Sequence, residues 1–222
     1  MYENHATIGM GTINILDAVK KWVPGAKVFL AGSGLQFINH GTPISETDTL
    51  GHDSPYTAAR NYSVYLARYF RDLGLHIYIG YLFHHESPYR KPYHVCQQIV
   101  GAARRIAAGC KDAIELGDIC VLKEWTFARD IVRGMMTLVQ QDRIYEATIG
   151  SGTAYPISAW LDECFKIIDK DWRKYVRLRD NFQSPFSILV SNPATINSLG
   201  WYPKTTMAEL ARIMMNQRNP AD

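Results

Sequence analysis

Two short, wholly apolar segments on either side of an amphipathic helix constrain the fold of this chain most strongly. The segments are AKVFLAG (26–32) and LHIYIGYLF (75–83), and neither alternates apolar with polar residues. Such continuous runs are typical of strands buried on both faces, as in a parallel sheet. The helix between them is predicted over 55–73 and is followed by Gly74, a usual residue at a helix end. Strand, helix and strand in this order predict an α/β fold with parallel pairing.

Similar patterns continue on both sides of this unit. Apolar periodicity predicts further helices over 6–22, 95–109, 126–142 and 157–169. Ser158 is predicted to cap the last of these helices. Short strands are predicted over 113–117 and 144–152. Since the elements beyond about residue 110 are more mixed, we expect a second, smaller α/β lobe there.

Charge and hydropathy exclude several classes of partner. The 222 residues carry 24 Lys and Arg against 21 Asp and Glu, without a basic block, so nucleic acid is not an expected partner. No apolar stretch reaches the roughly 18 residues of a membrane span, so no membrane partner is expected. The spacing of the four cysteines does not match that of a zinc site, so we expect reduced thiols in a cytoplasmic protein. These cysteines are Cys96, Cys110, Cys120 and Cys164.

Gly32-Ser33-Gly34 follows the first strand, as a dinucleotide-binding turn would. That motif needs a small residue at position 37, which is Phe37, and then a helix, which Pro43 and its polar neighbours oppose. We therefore do not assign a dinucleotide fingerprint here.

Tyr56 and Arg60 are four residues apart on the predicted helix and so share one face. A phenol is a poor acid or base at neutral pH, but a nearby cation favours the phenolate and makes proton exchange with a hydroxyl or carbonyl feasible. The same spacing is common on solvated helix faces. Spacing alone leaves both interpretations open.

Polar residues follow the second strand. His84 and His85 are adjacent and would point in opposite directions, so a metal site is not predicted. They would instead lie at the carboxyl end of a parallel strand, where α/β sheets bind ligands. Arg90, Lys123 and Arg179 are candidates for phosphate contacts, although each alone is also typical of an ordinary surface charge.

Several motifs occur together in a fixed order after Ser33. They are SPYTAAR (54–60), GYLFHHESPYR (80–90), LGDICVLKEWTFARDIV (116–132) and LGWYPKTTMAELARIMM (199–215). Together they resemble the nucleotide-sugar branch of the extended short-chain dehydrogenases/reductases, and the GDP-mannose 4,6-dehydratase family in particular. The resemblance implies a Rossmann-type domain with a smaller substrate lobe, NAD or NADP as cofactor, a GDP-sugar substrate and a homodimer.

The resemblance also implies residue roles. Tyr56 would exchange a proton with the sugar C4 hydroxyl, Arg60 would replace the family's lysine at the nicotinamide ribose, and Ser33 would bind the same sugar oxygen. His85 would contact the cofactor. The substrate contacts would be His84, Arg90, Lys123 and Arg179, besides Ser33.

The departures from the family pattern bear on the reaction. Leu35 replaces a catalytic glutamate and cannot transfer a proton, which argues against 4,6-dehydration by the usual route and favours epimerase or 4-keto reductase chemistry. Cys96-Gln97-Gln98 replaces a Thr-Arg-Lys of the substrate helix. We therefore expect an oxidoreductase or lyase acting at C4. The alternative is an inactive member that serves as a sugar-nucleotide-binding or interaction module.

The family's glycine-rich pyrophosphate turn has no counterpart in this sequence. The resemblance therefore implies that residues 1–90 form the later half of a cofactor domain. Residues 91–222 would form mainly the substrate lobe, with some segments returning to the sheet. A chain of this kind is expected to be a fragment of a longer protein or a remnant that depends on a partner.

Overall fold

A computed structural model describes residues 2–217 of the chain. Its α-helices are α1 (Tyr2–Asn4), α2 (Gly11–Trp22), α3 (Pro55–Asp72), α4 (Val95–Ala107), α5 (Ala128–Val139), α6 (Ile157–Ile167), α7 (Ala194–Ser198) and α8 (Met207–Asn216). Its strands are β1 (Lys27–Ser33), β2 (His76–Leu82), β3 (His85–Glu86), β4 (Ile114–Leu116), β5 (Leu122–Lys123), β6 (Thr126–Phe127), β7 (Glu146–Ile149), β8 (Tyr155–Pro156), β9 (Val176–Leu178) and β10 (Ile188–Leu189). A π-helical stretch, His5–Met10, joins α1 to α2, and 3₁₀ turns occupy Gly34–Gln36 and Trp172–Lys174.

The central sheet contains β1, β2 and β7 in that spatial order, all parallel, with β2 in the middle. The β1–β2 register runs from Lys27 opposite His76 to Ser33 opposite Leu82. Gly80 in β2 leaves space that the side chains of Phe29 and Ile149 fill from the neighbouring strands. The predicted parallel α/β fold is confirmed.

Local sequence signals explain why α3 forms between β1 and β2. Ser54 caps the helix by accepting from the backbone N–H of Thr57, whose hydroxyl accepts from the N–H of Ser54 in return. Pro55 occupies the first helical position, where its missing N–H costs nothing. After the helix, Gly74 adopts φ +91°, a conformation that glycine takes without strain.

Hydrophobic packing covers both faces of the central sheet and extends beyond it. One cluster lies against α2 and α3 and includes Leu16, Val64, Ala67, Ile77 and Tyr81. A second cluster lies against α5 and includes Tyr78, Ile131, Leu138, Ile149 and Trp201. A third packs α4, α6 and α8 together and includes Ile99, Trp160, Phe165, Leu210 and Met214.

The start of α6 differs from its prediction. Pro156 precedes the helix and Ser158 lies inside it, without a side-chain capping bond, so the predicted Ser158 cap is wrong. The backbone N–H groups of Ile157 and Ser158 instead donate to the carbonyls of Val121 and Ile119, at 3.2 and 3.0 Å. Because a neighbouring segment accepts from the free N–H groups of the first turn, no side-chain cap is needed.

Within residues 2–217, no helix is both long enough and apolar enough to cross a membrane.

Candidate active site

A cavity of about 570 Å³ opens at the carboxyl ends of β1 and β2. It is lined by most of the residues that the sequence singles out, namely Ser33, Tyr56, Arg60, His84, His85, Arg90 and Lys123. Arg179 is not among them: it lines an adjoining cavity of about 330 Å³. Because Tyr93, Lys123 and Phe186 line both spaces, the two cavities are neighbours and could hold two parts of one extended ligand.

Tyr56 and Arg60 lie on one face of α3, at the cavity wall. The guanidinium carbon of Arg60 lies 5.3 Å from the centroid of the Tyr56 ring, a cation–π distance. The Nη1 group of Arg60 donates to the carbonyl of Ala31 in β1. Its Nε–H is buried and has no hydrogen-bond partner among the described residues. Arg60 is therefore fixed between helix and strand, and its Nε–H lacks an acceptor.

Ser33 ends β1 and enters a tightly bonded turn. Its backbone N–H donates to Oε1 of Gln36 at 2.7 Å, and its hydroxyl accepts from the N–H of Leu35 at 3.2 Å. The amide of Gln36 donates in turn to Asn61 on α3 at 3.0 Å. These bonds hold the serine hydroxyl at the cavity edge. Gln36 and Asn61 were not singled out from the sequence, although Ser-x-x-Gln is the pattern of a capping box.

The turn after Ser33 also carries Gly34 and Leu35. A Cβ on Gly34 would lie 2.7 Å from the Phe83 ring, so the close approach of this turn to the end of β2 requires glycine. Leu35 lines the cavity with 44% of its surface exposed. An exposed apolar side chain at this point offers neither a proton nor an acceptor to a ligand.

Glu86 is a fully buried carboxylate in the cavity wall, and the sequence interpretation gave it no role. Its Oε1 lies 3.0 Å from Nε2 of His84, and its Oε2 lies 3.8 Å from Nε of Arg90. Neither oxygen accepts a well-directed hydrogen bond from the described residues. Burial would raise the pKa of this carboxyl, but the adjacent His84 and Arg90 outweigh burial and hold the pKa of Glu86 below its usual value.

The two neighbouring histidines have different surroundings. Nδ1 of His85 lies 2.8 Å from the carbonyl of Phe83, and burial lowers the pKa of His85, which favours the neutral ring. The ring of His84 meets the edge of Trp125 at 5.3 Å between centroids. Trp125 lies flat on Trp160, with 4.9 Å between centroids and 2° between planes. Through this stack, one side of the His84 ring packs against the hydrophobic cluster of α4, α6 and α8.

Lys123 is the basic group shared by the two cavities. Its ammonium lies 5.8 Å from the Phe186 ring, and burial lowers the pKa of Lys123. An anionic ligand at this point would favour its charged form. Among residues 2–217, no group of three His, Cys, Asp or Glu side chains is arranged to hold a metal ion.

Solved structures of other proteins share the fold of this chain. A dTDP-glucose 4,6-dehydratase from Bacillus anthracis, in complex with NAD, superposes with a TM-score of 0.80 at 18% identity, over 92% of this chain and 65% of that one. RMD from Pseudomonas aeruginosa, complexed with NADPH, does so with a TM-score of 0.80 at 19% identity, over 93% and 71%. The fold is thus that of the Rossmann-type epimerases and dehydratases of the short-chain dehydrogenase/reductase class.

Sequence comparison then identifies the family. The family described as GDP-mannose 4,6 dehydratase matches residues 3–214, and the chain belongs to it. GDP-mannose 4,6 dehydratase 1 of Arabidopsis thaliana is 28% identical over 95% of this chain and 60% of its own length. The human GDP-mannose 4,6 dehydratase is 30% identical over 73% and 45%. The family predicted from the motifs is confirmed, and the chain spans about three fifths of the Arabidopsis relative.

Proposed function

We propose that this protein acts at C4 of a nucleotide-linked sugar and uses NAD or NADP to exchange a hydride there. The observation that carries this proposal is that Tyr56, Arg60 and Ser33 line one cavity at the ends of two parallel strands. Ligands of open α/β sheets bind at this edge. The family membership supports the same class of chemistry.

The cavity residues have definite tasks in this proposal. Tyr56 accepts the C4 hydroxyl proton when the sugar is oxidised and returns it when a ketone is reduced. Ser33 donates a hydrogen bond to the same oxygen. The charge of Arg60 stabilises the phenolate that Tyr56 forms.

A nicotinamide cofactor fits the residues present. Arg60 has a buried Nε–H that no described residue accepts, and His85 lines the same cavity. Tyr56, Arg60 and His85 would hold the nicotinamide ribose. The cofactor would accept or return the hydride at C4. Two solved structures of this fold contain NAD and NADPH, which supports the choice of cofactor class.

The substrate proposed is a GDP-sugar. Lys123 lies where the two cavities meet, with Arg90 in the first and Arg179 in the second. Cations in this arrangement suit a diphosphate between a sugar and a nucleoside. His84 would contact the sugar. The names of the relatives, which are GDP-mannose dehydratases, support the guanosine nucleotide.

Leu35 directs the choice of reaction. It occupies the cavity wall where the family's glutamate is expected, and a hydrocarbon cannot carry a proton. We therefore favour epimerisation or 4-keto reduction over dehydration through position 35. We also propose a cytoplasmic homodimer, with residues 1–90 in the cofactor domain and 91–222 mainly in the substrate lobe.

The second candidate is a binding module without catalysis. The bond from Arg60 to the carbonyl of Ala31 favours it, because a guanidinium held by the backbone is less available to a phenolate or a ribose. In this case sugar nucleotides would bind without hydride transfer.

One experiment separates the two candidates. The fluorescence of NADPH and NADH is titrated with the purified chain, with and without GDP-mannose, and C4 hydride transfer is then followed with a 4-keto sugar nucleotide. Tyr56→Phe should bind both ligands and lose hydride transfer by about a thousandfold. Tyr65→Phe, which removes an exposed phenol from the same helix, is the matched control. Sugar-nucleotide binding without cofactor binding would overturn the enzyme proposal and favour the module.

A further inference from the structure

The cavity retains a carboxylate although position 35 lacks one. Among the described residues that line it, Glu86 is the sole carboxylate, and its side chain is fully buried. A buried anion without directed hydrogen bonds is costly unless its acceptor capacity is used. The imidazole Nε2 of His84 lies 3.0 Å from Oε1 of this carboxylate.

His84 differs from the other histidines of the cavity. His85 is tied to the Phe83 carbonyl through Nδ1, and Nδ1 of His94 faces the guanidinium of Arg90 at 3.5 Å. In His84 the carboxylate contact is made by Nε2, and no hydrogen bond within residues 2–217 engages Nδ1. The side chain is 17% exposed, so the ring remains open to the cavity.

The contact between His84 and Glu86 also decides the tautomer. A carboxylate beside Nε2 favours the proton on that nitrogen and leaves Nδ1 with a free lone pair. The hydrogen-bond geometry is poor as it stands, which is common in catalytic pairs before a ligand binds. Trp125 packs against the ring and restricts its rotation.

We propose that His84 is a second proton-transfer residue of this cavity and that Glu86 is its positioning residue. The inference rests on the proposed substrate class. In a nucleotide-linked 4-keto sugar, the C–H bond on a carbon next to the carbonyl breaks and its proton moves to Nδ1 of His84. The electron pair forms the enolate, whose oxygen lies beside Tyr56 and Ser33.

Return of a proton from Nδ1 re-forms the C–H bond and completes the cycle. Because the Nδ1–H proton equilibrates with solvent before it returns, the carbon regains its configuration with a solvent hydrogen in place of its own. No oxidant is consumed once the ketone is present. The ketone is either supplied as such or formed by the nicotinamide step proposed above.

The test is solvent exchange, which needs no cofactor. The protein is incubated in D₂O with a GDP-linked 4-keto-6-deoxyhexose, and deuterium uptake at C3 and C5 is followed by NMR and mass spectrometry. His84→Asn should lower the exchange rate on the order of 100-fold. His84→Ala should lose the activity and regain part of it when free imidazole is added.

Glu86→Gln tests the positioning role. It keeps the size of the side chain and removes the charge, so kcat for exchange should fall roughly tenfold while KM changes less than twofold. His40→Gln, an exposed histidine outside both cavities, is the control. Binding of the sugar nucleotide, measured by calorimetry, shows that each variant retains the site.

The outcomes separate this inference from the proposed function. Exchange in the wild type that His84→Asn abolishes supports the inference, even if no cofactor binds. Hydride transfer without exchange, or exchange that His84→Asn leaves intact, overturns the inference and leaves the C4 proposal standing.

Discussion

Two fully buried carboxylates, Glu124 and Glu86, have opposite surroundings. Glu124 accepts from the backbone N–H and the hydroxyl of both Ser151 and Ser191, with the Ser191 hydroxyl at 2.6 Å. Glu86 has the side chains of His84, Arg90 and Cys96 near its carboxylate, and neither of its oxygens accepts a well-directed hydrogen bond from the described residues.

The difference separates a structural carboxylate from a reactive one. The acceptor capacity of Glu124 is used to hold two loops together, so a change there acts on folding. The oxygens of Glu86 remain available to His84, which faces the cavity, so a substitution of Glu86 should change the rate of the proposed proton transfer. Burial alone does not distinguish the two residues, whereas their hydrogen-bond partners do.

The largest effect is expected for Glu124→Ala. It removes the acceptor of the partly buried Ser151 N–H and of the buried N–H and hydroxyl of Ser191, so the free energy of unfolding should fall by about 4 kcal/mol. Urea denaturation measures this change. Glu115→Ala, at an exposed position of β4, is the control and should change little. A loss below about 1 kcal/mol for Glu124→Ala would contradict the structural role.

Glu146 extends the comparison to an acid-sensitive carboxylate. Burial would raise the pKa of Glu146, but Arg68, Arg71 and Tyr81 donate to it and hold that pKa below its usual value of 4.5. A lowered folded-state pKa means that stabilisation is present above about pH 4.5 and is lost as the pH falls towards the folded pKa. Glu146→Gln should cost about 2 kcal/mol at pH 7.

The measurement for Glu146 is urea unfolding at several pH values between 3 and 7. The wild type should lose stability over the acid part of this range, whereas the Gln variant should have a flatter profile there. Equal slopes in the two proteins would show that another carboxylate is responsible.

Arg60→Lys tests whether an unsatisfied buried donor, like the unsatisfied acceptor Glu86, serves a ligand of the cavity. Arg60 has a buried Nε–H that no described residue accepts and that the proposed function assigns to the nicotinamide ribose, and lysine removes this donor while keeping the charge. We expect NADPH to bind about fivefold more weakly, close to 1 kcal/mol, in a fluorescence titration. Arg212→Lys on the exposed face of α8 is the control. Unchanged or tighter binding would show that the Nε–H of Arg60 does not hold the cofactor.

The smallest effect on stability is expected for Glu86→Gln. No directed hydrogen bond is lost, and Arg90 is one-third exposed, so the free energy of unfolding should change by less than about 1 kcal/mol. Urea denaturation beside Glu124→Ala gives the direct comparison. A loss as large as that of Glu124→Ala would make Glu86 a structural residue as well.

Much of the fold follows from local sequence patterns. The unit of β1, α3 and β2 was predicted because buried strands and a capped helix have strong signals within a few residues. The parallel arrangement then placed Ser33 and His84 at one edge of the sheet. The third strand, β7, was expected only as a strand, since its pairing with β2 depends on contacts across more than sixty residues.

The features of the site that local patterns do not encode depend on distant contacts. Lys123 was named from the sequence as a phosphate contact, but its place in the cavity depends on the pairing of β5 with β10, which no local pattern encodes. Glu86 was visible in the motif, but its burial beside His84 follows from the packing of Trp125 and α4. The wrong Ser158 cap has the same origin, because the acceptors at Val121 and Ile119 come from another segment.

The stack of Trp125 on Trp160 has a spectroscopic consequence. Indole emission is sensitive to neighbouring charge, and a protonated imidazole quenches it by accepting an electron from the excited ring. Because the edge of Trp125 meets His84, a ligand that moves or charges this histidine should change the emission of the tryptophan. Trp22, which is 71% exposed on α2, would emit at a longer wavelength as an internal reference. The chain therefore carries a built-in optical reporter at the wall of its own cavity.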